Sequence, residues 1–120
     1  MKNIILIITF FTILSQQFPT LEFDKKIYDF KKIKPNTTVT ATFKLTNKSN
    51  KVPLIIYSVS TTCGCTTAKA PKIIKPSQSD FIIIKFDSRG YNGLINKDIV
   101  VITNTKNEYD KLTIKGNVSN

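Results

Sequence analysis

Two cysteines, Cys63 and Cys65, stand one residue apart in the run Thr62-Cys63-Gly64-Cys65-Thr66, and the chain of 120 residues has no others. Three chemistries suit such a pair. The first is a structural role, with thiols packed inside or bridged locally. Good disulfide geometry brings the Cα atoms to about 5.5–6 Å, whereas fully extended residues two apart sit near ~7 Å. A bridge therefore demands a bend, and Gly64, with no Cβ, permits one. The second is redox exchange, since an exposed short-loop disulfide in an oxidising compartment is open to attack by other thiols. Lys69 and Lys72, close by in sequence, are the cations that would lower a thiol pKa. The third is a soft-metal grip on Cu(I) or Zn by two thiolates, which one chain cannot complete to a tetrahedron with two ligands.

Other residue types narrow the chemistry further. The chain has no histidine, which removes Ser-His-Asp and Cys-His nucleophiles, the usual base near neutral pH, and His-based metal sites. Asp87 and Ser88, followed by Gly90 and Gly93, have the composition of an active-site turn. Without a base they read instead as turn residues whose side chains bond local backbone amides. No catalytic residue, metal site or cofactor is implied, and the expectation is a protein that is not an enzyme.

The formal net charge is +10, from 18 Lys+Arg against 8 Asp+Glu. Arg89 is the sole arginine among them. Recognition of phosphates and bases leans on the planar Arg fork, and here the lysines are scattered along the chain without a long block. They read as a solvated face, with no nucleic-acid partner.

The elements that must position the cysteines are strands. Residues 1–17 read first as a secretory signal peptide: Lys2 opens it, and Ile4 to Leu14 form an apolar run broken only by Thr9 and Thr12. About eleven residues are too few to span a bilayer, which needs about twenty. No cysteine lies near the cleavage region, so no lipid anchor is expected there, and no integral span remains after cleavage. The expected domain is 18–120. Leu21-Glu22-Phe23 and Ile27 to Phe30 read as short edge pieces, with a turn at Pro35-Asn36. Val39, Ala41, Phe43 and Leu45 then alternate with polar residues at the period of two that marks a half-buried strand. Asn47 to Lys51 is a polar turn, and Leu54 to Ser60 leads to the cysteines. Thr66 to Ser79, with Pro71 and Pro76, reads as an irregular crossover. Phe81 to Phe86 follows with Ile82, Ile84 and Phe86 inward. Further strands are marked by Ile99 and Val101, and by Leu112, Ile114 and Val118. This spacing, with polar turns and no helical period, predicts an all-β, Ig-like antiparallel β-sandwich of about seven strands.

Several of these pieces together resemble a known family. They are Tyr28-Asp29-Phe30, Val39-x-Ala41-x-Phe43-x-Leu45-x-Asn47, Pro53-Leu54-x-Ile56, Cys63-Gly64-Cys65-Thr66, Pro71-Lys72, Phe86-Asp87-Ser88-x-Gly90-x-x-Gly93, and Lys97-x-Ile99-x-Val101-x-Thr103-Asn104. In that order they are similar to domain of unknown function 1573, an exported Ig-like family common in Bacteroidetes-type bacteria. The resemblance runs from about Glu22 to Val118. This chain departs from the family mostly at turns. Glycine is usual in the family where Lys31 stands, near Pro35-Asn36, and after Pro76 where this chain has Ser77; Asp-Pro is often found at Thr105-Lys106. The resemblance implies an Ig-like fold and an envelope location, and it brings no activity.

The expected function is thus an exported, non-enzymatic module of the cell envelope, in the periplasm or outside the cell, serving an envelope protein or glycan partner or a structural role. The alternative is a thiol–disulfide redox or soft-metal-handling protein acting through Cys63 and Cys65.

Overall fold

Ala41, Phe43 and Leu45 are fully buried, and the alternating Thr40, Thr42 and Lys44 face solvent. That alternation is the signature of a strand with one face on a core. The computed structural model describes residues 17–120, so the expected leader lies outside the described residues, Gln17 aside. Nine strands run in order: β1 (Leu21–Phe23), β2 (Ile27–Ile33), β3 (Thr38–Asn47), β4 (Leu54–Thr61), β5 (Thr66–Lys69), β6 (Ile73–Ile74), β7 (Ser79–Asp87), β8 (Gly93–Thr103) and β9 (Tyr109–Val118).

They form two sheets, one ordered β1-β3-β7-β5 and the other β2-β9-β8-β4-β6. The inward rows of both sheets meet in one core. Phe43, Ile82, Ile84 and Phe86 come from the first sheet, and Leu54, Ile99, Val101, Leu112, Ile114 and Val118 from the second. Each of these side chains contributes about 1.5–3 kcal/mol on burial, which is what holds the two layers face to face. The chain is an all-β sandwich. No helix among the described residues is long and apolar enough to cross a membrane.

Three features differ from the sequence reading. The segment Thr66 to Ser79 is not irregular throughout. Thr66–Lys69 pairs with β7 as an edge strand, and Ile73–Ile74 pairs with Leu54 and Ile55. Pro71 falls between these short pieces and Pro76 after the second, so neither piece is interrupted, and the two raise the strand count to nine. The second difference is one of direction. β2 runs parallel to β9, from Ile27 opposite Thr113 to Ile33 opposite Val118, while every other pairing is antiparallel.

The third is Asn47, read as the start of a polar turn and in fact fully buried. Its Nδ2 donates to the carbonyls of Val52 (2.8 Å) and Ile74 (3.1 Å), and its Oδ1 accepts from the Ser49 amide at 3.1 Å. A buried carboxamide is tolerated only when its bonds are made. Here it ties the turn after β3 to β6 in the opposite sheet.

Several turns need left-handed backbone. Lys31, Asn36 and Ser77 carry φ of 63°, 55° and 64°, alongside Gly90 at 82° and Gly93 at 88°. The sandwich retains that geometry at positions where glycine would supply it at no steric cost, and it does so with L residues.

Candidate functional site

The chain crosses from one sheet to the other between β4 and β5, and Cys63, Gly64 and Cys65 make that corner. The two sulfurs are joined in a disulfide with Cα atoms 5.3 Å apart. The separation is shorter than extended backbone allows, and the bend falls at Gly64, where an added Cβ would meet nothing within 4 Å. Both cysteines are half-buried and Gly64 is exposed.

Threonines brace the corner from either side. Thr61 Oγ1 lies 3.2 Å from the carbonyls of both Cys63 and Thr66. Thr66, nearly buried, sets its hydroxyl 3.5 Å from Cys63 Sγ and 3.6 Å from Cys65 Sγ. A third contact arrives from a distant turn. The Tyr91 hydroxyl donates to Cys65 Sγ at 3.1 Å. Its ring packs edge-on against Phe86 with centroids 5.3 Å apart, and Lys97 Nζ sits 4.9 Å above its centroid.

Tyr91 lies in the turn between β7 and β8, among the other residues that the sequence singled out. Asp87 Oδ1 accepts the Arg89 amide at 3.0 Å, the local side chain-to-backbone bond expected of Asp in a turn. Ser88 is fully buried. Its hydroxyl donates to the Lys34 carbonyl at 2.7 Å and accepts from the Thr37 amide at 3.0 Å, clamping the β2–β3 turn against the β7–β8 turn. Gly90 and Gly93 supply the left-handed steps that reverse the chain. Because the Asp87 amide also donates to the Cys65 carbonyl at 2.9 Å, the structure brings the cysteine corner and this turn into one cluster.

The lysines expected near the sulfurs are elsewhere. Lys69 ends β5 opposite Ile83, and the Lys72 carbonyl accepts from the Ile56 amide, near the start of β4 and away from the corner. Lys97 is the cation of this cluster, held over Tyr91. Tyr91 is not distinguished by sequence and Lys97 enters only as the start of the run Lys97-x-Ile99-x-Val101, since the roles of both depend on β8 folding back beside β4. Among the described residues, no three His, Cys, Asp or Glu side chains gather as metal ligands would.

The arrangement defines what the corner can do chemically. A thiolate attacking Cys63 Sγ would form a mixed disulfide and release Cys65 as thiolate. That leaving sulfur already receives the Tyr91 O–H, a bond that strengthens when its acceptor becomes charged.

With the geometry in view, comparison with known proteins shows the fold and the family. A protein of unknown function from Porphyromonas gingivalis W83 superposes with a TM-score of 0.73 at 22% identity, covering 92% of this chain and 51% of its own. This chain thus spans about half the length of that protein. The ASH / PapD-like domain 7 of human CEP192 gives 0.66 at 14% identity, covering 82% and 84% of the two chains. WR4, a C. elegans MSP family member, gives 0.52 at 12% identity, covering 82% and 97%. No curated protein matches the sequence. The model of the family described as protein of unknown function (DUF1573) matches residues 21–118, and the chain belongs to that family.

Proposed function

We propose that this chain is an exported, non-enzymatic interaction module of a bacterial cell envelope, presenting its sheet faces and loops to a protein or glycan partner. One observation carries the reading most directly. The side chains that most resemble catalytic groups are consumed by architecture. Ser88 spends its hydroxyl on Lys34 and Thr37, and Asp87 spends a carboxylate oxygen on the Arg89 amide. A serine held in that way, with no base beside it, is a clamp. The likeness to PapD-like and MSP folds supports a sandwich that works by its surface, though fold alone assigns no partner. The apolar run at Ile4 to Leu14 supports export.

A second reading is favoured by the Tyr91 hydroxyl on Cys65 Sγ: thiol–disulfide exchange at the corner. One experiment separates the two. Cells carrying the chain are treated with a lysine-reactive crosslinker, and envelope polysaccharide is tested for co-sedimentation with the purified protein. The Cys63→Ser, Cys65→Ser double variant is run beside the parent. Partner capture retained by the variant supports the interaction module. Capture lost by a variant that keeps its β circular-dichroism signature overturns it in favour of the thiols, and no capture by either form overturns it outright.

A further inference from the structure

The outer face of the five-stranded sheet is interrupted where β2 and β9 slip register. Pairing steps from Asp29 opposite Lys115 to Lys32 opposite Asn117, so Phe30 and Lys31 together oppose Gly116. Such a bulge bends the strand and re-aims its side chains. Lys31 takes the left-handed conformation there, φ 63°. On the facing strand, a Cβ at position 116 would lie 2.7 Å from Ile33 Cδ1 and 3.3 Å from the Lys31 carbonyl. Glycine in a strand interior marks such a close approach. The bulge leaves an open concavity of about 580 Å³, within the range of small-ligand sites.

Its lining has one character. Lys31, Lys32 and Lys115 bring three ammonium groups, and Asn96 and Asn117 bring two carboxamides. Leu94, 86% exposed, forms an apolar wall. Asp29 is the sole carboxylate in the lining and is engaged locally: its Oδ1 accepts the Lys31 amide at 2.8 Å and its Oδ2 lies 3.4 Å from Lys31 Nζ. Among the described residues, Lys32 and Lys115 take part in no ion pair. With three ammoniums against the one Asp29 carboxylate, which both Lys31 and Lys115 face, the lining keeps a net positive charge that concentrates a positive field in the concavity.

We propose that this concavity binds an acidic sugar unit, with the carboxylate between Lys32 and Lys115 and the ring over Leu94. The proposal deepens the interaction-module reading and rests on it. Each part of the lining answers one part of such a ligand. Ammoniums meet the carboxylate, carboxamides both donate to and accept from ring hydroxyls, and an exposed aliphatic wall meets the apolar C–H face of the ring. A nucleic acid fits less well, because the lining contains no arginine and no aromatic ring for base stacking.

The test is an amide-shift NMR titration of the full chain with three probes: a galacturonic acid trisaccharide, a neutral glucose trisaccharide and inorganic phosphate. Saturable shifts at Asn96, Gly116 and Asn117 with the acidic trisaccharide alone are expected. A Lys32→Ala, Lys115→Ala variant weakens them about tenfold, the sum of two exposed charge contacts, and Lys32→Arg, Lys115→Arg keeps binding within about twofold. Absence of saturable shifts overturns the proposal. So does an equal response to phosphate or to the neutral sugar, or a double-alanine variant that binds like the parent. Partner capture from cells is read separately, so a failed titration with intact capture rejects the sugar site and leaves the interaction module standing.

Discussion

Tyr91 and Cys65, 26 residues apart in the chain, meet through an O–H···S hydrogen bond of 3.1 Å. The contact joins the turn after β7 to the corner where the chain changes sheets. It also gives Tyr91→Phe two separate expected outcomes. The ring stays against Phe86, so urea unfolding should show a loss of only about 0.5–1 kcal/mol for the missing bond. Reduction of the disulfide by glutathione should slow about fivefold, because the departing Cys65 thiolate loses its donor. Unchanged reduction kinetics would show that the hydroxyl only packs.

Ser88→Ala should be the most costly single-atom change in the β7–β8 turn. It removes the partner of the Thr37 amide at a fully buried serine, while the Lys34 carbonyl keeps the Thr37 hydroxyl at 2.7 Å. Leaving that amide unsatisfied costs about 1–3 kcal/mol. The urea midpoint should fall accordingly with an unchanged slope, whereas a shift below about 0.5 kcal/mol would mean that the clamp is dispensable.

Glycine exchanges should separate backbone strain from crowding. Ser77→Gly should stabilise the fold by up to about 1 kcal/mol, since an L residue in the left-handed region costs about 1–2 kcal/mol and glycine's extra freedom when unfolded returns about half of that. Gly90→Ala and Gly93→Ala should each lose about 1–2 kcal/mol, purely from φ, because a Cβ there meets nothing within 4 Å. Gly116→Ala should lose stability for the opposite reason, and Ile33→Val, which deletes the crowding Cδ1, should partly restore it. Thermal melts of the five single variants and the Ile33→Val, Gly116→Ala double variant check the set. Failure of Ile33→Val to restore Gly116→Ala would move the blame to the remaining Ile33 Cγ1 and the Lys31 carbonyl, 3.2 and 3.3 Å from the added Cβ.

The Asp29 carboxyl should titrate below its ordinary value of 3.8, chiefly because the Lys31 amide donates to it; partial desolvation opposes this, and the Lys31 and Lys115 ammoniums add to the lowering. A carboxylate with a lowered folded-state pKa lends its support above the ordinary range and withdraws it as the pH falls through the lowered value. The bulge at Lys31 should therefore loosen as the pH falls below the ordinary carboxylate range. A carbon-detected NMR titration of Asp29, followed alongside the Lys31 amide, checks this. A midpoint at or above 3.8, or a Lys31 amide that ignores the titration, would contradict it.

The legible parts of this protein were those written in local alternation. Ala41-x-Phe43-x-Leu45 and Ile82-x-Ile84-x-Phe86 show their inward faces directly, and both rows are fully buried. Asn92-Gly93 marks the turn into β8, which starts at Gly93. What escaped was decided by residues far apart. β6 is two residues long and exists only because Leu54 and Ile55 lie beside it. Asn47 looks like any turn asparagine until Ile74 folds over it. The site divided along the same line: Cys63, Cys65 and Ser88 announce themselves by type and spacing, whereas Tyr91 is one of four tyrosines and acquires its role only through the sandwich.

The side-by-side placement of β2 and β9 has a consequence for how the molecule comes into being. Ile27 waits for Thr113, and the last long strand lies inside its sheet, between β2 and β8. Contacts this distant in sequence carry a large loop-closure cost before they return anything. As the chain emerges in order, from a ribosome or through a membrane pore, β2 has no partner and β8 keeps one side open until β9 arrives. Closure of this sheet therefore waits for residues Tyr109–Val118. Losing that stretch would remove the middle of the sheet, not trim its edge.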